Sequence, residues 1–147
     1  MKGMTVIVKT ISSWVKVLIF LFGIYIVIFG HLTPGGGFAG GVILASSYVL
    51  LMLAFGREFV QKNLPLGISS KLDCLGAFAF AMIAILGFFY GGIFFCNFLV
   101  ERGQAFGLIS AGTIPLSNIA IGLKVGASLF LVIFSLSIFR RNTSANK

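Results

Sequence analysis

Lys124 is the residue of this chain best placed to do chemistry. It lies about nine residues into the last of four long apolar runs, so a helix would carry its side chain roughly 13 Å into the run, close to a bilayer midplane. An ionisable group at that depth is costly and by default a functional candidate; a lysine that releases and regains its proton there would relay protons. The plainer alternative is that it snorkels or locks assembly. Ser117, Lys124, Ser128 and Ser135 fall on one broad helical stripe, and Asn118, Gly122 and Gly126 follow at i+4 on another. Gly122 and Gly126 would let a neighbouring backbone approach closely, while Lys124, about 200° from each, should meet a different neighbour.

His31 is the second candidate. Histidine is the side chain that titrates near neutral pH, so His31 could line a proton exit. As a lone histidine it fits an anchoring role better, because nothing else a relay requires is visible. It opens the segment His31-Leu32-Thr33-Pro34-Gly35-Gly36-Gly37-Phe38-Ala39-Gly40-Gly41. Pro34 disfavours a helical Thr33, and glycines permit tight reversals, so the segment reads as a corner between two helices. Phosphate binding is disfavoured: there is no Lys-Ser/Thr ending and no GxGxxG spacing.

Carboxylates are scarce. Glu58 and Asp73 are placed at one membrane boundary and Glu101 at the other, so the sequence gives Lys124 no partner in its own chain. A carbonyl, water or a carboxylate on another subunit would have to serve. Na⁺ needs oxygen ligands and an exchanger needs a titratable group in its path, which makes this chain alone a poor complete antiporter. No nucleophile–base pair or metal-ligand spacing is present, so neither an enzyme active site nor a metal or cofactor site is expected. Cys74 and Cys96 would lie roughly 33 Å apart on one helix, too far for a disulfide.

The elements that must position these residues follow from composition. The 147 residues are 59% hydrophobic and 10% charged, with 17 Phe and 19 Gly, values suited to a single integral membrane domain spanning 1–147. The apolar runs are too long and continuous for barrel strands, so the expected fold is all-α with four transmembrane helices, at about 11–30, 38–56, 72–100 and 116–139. The third is longer than a bilayer needs, and tilt or a break at Gly91-Gly92 would absorb the excess. Gly37, Gly41 and Ala45, and Gly23 with Gly30, mark close-packing faces. A signal peptide is disfavoured because no A-x-A-like site follows the first run.

The formal net charge of +8 sits at the ends of the runs, so it speaks to orientation and not to nucleic acid. Lys2, Lys9, Lys16, Arg57, Lys62, Lys71, Arg140, Arg141 and Lys147 share one face of the membrane, against Arg102 on the other. Both termini are therefore expected in the cytoplasm, with His31 and Glu101 outside.

Gly30 through Gly41 resembles the signature of the MnhB/MrpB family, the B subunits of Mrp-type multisubunit Na⁺/H⁺ antiporters. Ile114 through Gly126 is similar to the family's second characteristic stretch. Pro34, Gly35, Gly36, Gly37, Phe38, Gly40 and Gly41, with His31, match the first motif; Pro115, Asn118, Gly122 and Gly126 match the second. The resemblance implies an accessory, non-catalytic subunit of the prokaryotic cytoplasmic membrane. Its partners would be lipid and other subunits, including large antiporter-like ones that supply the missing relay residues. Related B-type subunits occur in membrane-bound hydrogenases and sulfane reductases, which leaves a redox-driven complex as the alternative. A stand-alone small transporter and a purely structural scaffold are the remaining readings.

Overall fold

The protein is described here from a computed structural model covering residues 4–99, 107 and 111–145, with side chains to 139. Glu101, Arg102, Val100, Lys2 and Lys147, and the side chains of Arg140 and Arg141, lie outside the described residues. The elements are α1 (Val6–Ile28), α2 (Gly36–Phe55), α3 (Arg57–Asn63), α4 (Leu66–Gly91) and α5 (Ile114–Ala145). Four of them, α1, α2, α4 and α5 as far as Phe139, are long and apolar enough to cross a membrane.

The chain's punctuation residues set these limits. Gly35 and Gly36 adopt φ values of 115° and 58°, a left-handed corner where any side chain would be strained, and α2 starts from it. Gly56 ends α2 and starts α3. Pro65 precedes the first turn of α4, which therefore begins about two turns earlier than the sequence suggests. Gly92, in the αL conformation, stops α4 at Gly91, so the break expected there is the one used and the third span does not continue to 100. The chain then folds back, placing Cys96 against Gly87 and Gly91. Cys96 is thus not on the helix that carries Cys74, and both cysteines are free.

α2 is central. It packs along α1 on one side and α5 on the other, while α4 leans on α5 and touches the remaining helices marginally at most. The backbone N–H of Met4 donates to Ala54 O at 3.1 Å, bringing the start of α1 level with the end of α2. At this basic end, Leu51, Met52, Val60, Phe130 and Phe134 form a buried core that clamps short α3 against α2 and α5. Arg57 on α3 donates to the Ser137 carbonyl at 2.6 Å. At the opposite, glycine-rich end, Asn97 ties the return after α4 to the start of α5: its Oδ1 accepts from the Thr113 N–H at 2.8 Å, and its amide donates to Ala111 O at 2.9 Å.

Candidate functional site

The two sequence motifs meet. Gly37 presses on the backbone of Asn118, and the Gly37 N–H donates to Asn118 Oδ1 at 3.3 Å. One turn along, a Cβ on Gly41 would stand 2.8 Å from Gly122 O and 3.1 Å from Gly126 N. Ala45 is buried on the same line. A Cβ on Gly122 would in turn meet Val27 of α1 at 2.7 Å. The glycine stripes are therefore contact lines that bring three helices within backbone distance.

His31 stands outside this seam. Its Nε2 lies 3.2 Å from Gly107 O in the α4–α5 connection, while its buried Nδ1 has no partner among the described residues. This contact joins the loop after α1 to the α4–α5 connection.

Lys124 leaves α5 on another face and meets α4, the separation of roles inferred from helical angle. Its ammonium donates to Asp73 Oδ1 at 2.8 Å and to Ser128 Oγ at 3.1 Å. The expectation that Lys124 has no carboxylate in its own chain is therefore wrong. Placing the third span from about 72 set Asp73 at the boundary; with α4 starting at Leu66, Asp73 lies roughly 10 Å inside the helix.

Ser128 completes the group. Its hydroxyl oxygen is 2.6 Å from Asp73 Oδ1 and 2.7 Å from Lys124 O, but a hydroxyl has one hydrogen to give. It can serve the carboxylate or the backbone carbonyl, and its lone pairs receive the ammonium in either case. Proton donor, hydroxyl and carboxylate are thus in continuous contact across α4 and α5.

Gly76 makes this contact possible. A Cβ there would stand 2.7 Å from Lys124 N and 2.9 Å from Ala120 O, so only glycine lets α4 lie this close. An apolar cleft of about 380 Å³ runs from Lys124 past Gly76, Ala77, Phe80, Ala120 and Ile121. The ion pair is not sealed: in the isolated chain 46% of the Lys124 side chain and 29% of the Asp73 side chain are exposed.

Four helices long and apolar enough to cross a membrane, with an ion pair between two of them and a glycine seam, describe a multi-pass membrane protein with four candidate spans. Residues 7–131 match the model of the domain related to the MnhB subunit of Na⁺/H⁺ antiporter, and the chain belongs to that family. It is 34% identical over 142 residues to a Staphylococcus aureus chain named as antiporter subunit mnhB2, covering 93% of this chain and 97% of that one. It is 39% identical to an uncharacterized protein of Methanocaldococcus jannaschii, covering 90% of this chain but only 52% of the relative, so it spans about half that protein's length. In three dimensions it is similar to a chain of the membrane-bound sulfane sulfur reductase, an archaeal respiratory membrane complex. The TM-score is 0.73 with 30% identity, over 92% of this chain and 61% of that one.

Proposed function

We propose that this chain is a non-catalytic subunit of a multisubunit Na⁺/H⁺ antiporter in a prokaryotic cytoplasmic membrane, with both termini on the cytoplasmic side. It contributes part of the proton path through Lys124, Ser128 and Asp73. The observation that carries this reading is the half-open ion pair. Lipid cannot cover an exposed ammonium and carboxylate at helix depth, so the α4–α5 face requires a protein neighbour or a polar passage between subunits. Near full-length similarity to the staphylococcal subunit supports the antiporter assignment.

The test is native mass spectrometry of the complex solubilised in mild detergent. Large antiporter-like subunits without a redox arm are expected. Transport by the assembled complex should fall when Lys124→Ala is introduced, with subunit composition unchanged; retained transport would leave a scaffold role. Na⁺-dependent proton movement by the purified chain alone in liposomes would replace the subunit reading with a self-sufficient transporter.

The structural similarity to a sulfane sulfur reductase chain favours one second reading, the same subunit within a redox-driven membrane complex. Copurification of iron–sulfur or nickel–iron subunits would select it.

A further inference from the structure

Lys16 is another lysine set well along a long helix, and it has no carboxylate beside it among the described residues. Its ammonium stands 5.8 Å from the Phe20 ring centre and 5.4 Å from that of Tyr48. Such contacts favour a cation without neutralising it. Two residues earlier Trp14 projects from α1, 75% exposed, and beyond Lys16 the helix carries no charge as far as Ile28. An exposed indole beside the last charge before an uncharged run marks the headgroup level of a membrane.

A groove of about 360 Å³ opens here between α1, α2 and α3. Ser13, Lys16 and Asn63 supply hydrogen-bond donors to it, while Val17, Leu51 and Phe59 supply apolar wall. Val17 and Phe59 are 51% and 44% exposed, so the apolar side is uncovered in this chain. Glu58, the acidic residue of α3, does not line the groove. A free anion would leave that wall bare, and an uncharged apolar ligand would leave the ammonium without a counter-ion. An amphiphile with an anionic head satisfies both.

We infer that this groove binds an anionic phospholipid, its phosphate held by Lys16 with Ser13 and Asn63 and its first methylenes lying on Val17 and Phe59. The site is separate from the Lys124 pair and does not depend on the transport reading.

The test is native mass spectrometry of the full chain in mild detergent, titrated with phosphatidylglycerol or phosphatidylcholine. The expected preference for the anionic lipid is about fivefold, the order that one lysine near an anionic surface confers. Lys16→Gln should abolish the preference, and Ser13→Leu, which fills the groove and keeps Lys16, should lower retention of bound lipid. Lys71→Gln, outside the groove, should leave both unchanged. Equal retention of the two lipids by the native chain, an unaltered preference in Lys16→Gln, or displacement of the lipid by millimolar inorganic phosphate would overturn the proposal. If Lys16→Gln does not fold, Ser13→Leu decides: undiminished lipid retention overturns it.

Discussion

Lys124 and Asp73, 51 residues apart in sequence, are joined across α4 and α5 by a 2.8 Å ion pair that shares the hydroxyl of Ser128. Removing one partner leaves the other charge facing the helix contact alone. A double-mutant cycle of Lys124→Gln and Asp73→Asn in the detergent-solubilised chain should give a coupling energy of about 1 kcal/mol, modest because the pair is partly open there. Thermal unfolding followed by circular dichroism measures it. Strict additivity of the two changes would mean that the pair does not hold the helices together.

Gly76→Ala should separate α4 from α5, since its Cβ would meet the Lys124 backbone at 2.7 Å. The expected destabilisation is about 1–3 kcal/mol, and the Lys124–Asp73 coupling should disappear with it. Gly67, also in α4, has nothing within 4 Å of an added Cβ, so Gly67→Ala should be neutral or mildly stabilising. Similar losses at both positions would show that helix flexibility, and not close approach, is what Gly76 supplies.

Asn118→Ala removes the acceptor of the Gly37 N–H at the first turn of α2. The loss should be about 1 kcal/mol, as for an ordinary hydrogen bond, read as a lowered midpoint in thermal unfolding. Gly37→Ala should cost more, because the added methyl meets the Asn118 backbone, which cannot rotate away. An alanine tolerated at 37 would contradict the close seam between α2 and α5.

His31→Gln keeps a side chain able to reach Gly107 O and should preserve both transport and its pH profile in the assembled complex. His31→Ala should instead expose the α4–α5 connection to limited proteolysis while leaving the profile in place. A shifted pH profile in His31→Gln would make the histidine a relay after all.

The four long helices and the contact stripes of Gly37 with Gly41 and Gly122 with Gly126 were legible because apolar run length and i+4 spacing report directly on helices and their close faces. The divergence of Lys124 from the glycine seam was legible from helical angle alone. Its partner was not. Lys71 and Asp73 look like a charged boundary, and only the start of α4 at Leu66 takes Asp73 into the helix. The available signal was angular: Ser69, Asp73 and Gly76 share one face of α4, a polar and small-residue line of which Asp73 and Gly76 meet α5. The short helix α3 falls between the second and third expected spans, where no apolar run signals it, yet its Val60 is almost wholly buried.

That α4 rests on α5 and on little else has a consequence for biogenesis. α4 leaves the ribosome before its supporting helix exists, and the 51 residues between Asp73 and Lys124 take roughly 3–10 s to synthesise at ordinary elongation rates. During that interval Asp73 lacks the ammonium of Lys124, and α4 must wait without the helix it rests on. The same delay leaves the glycine face of α2 waiting for α5, so the bundle closes when its last helix arrives.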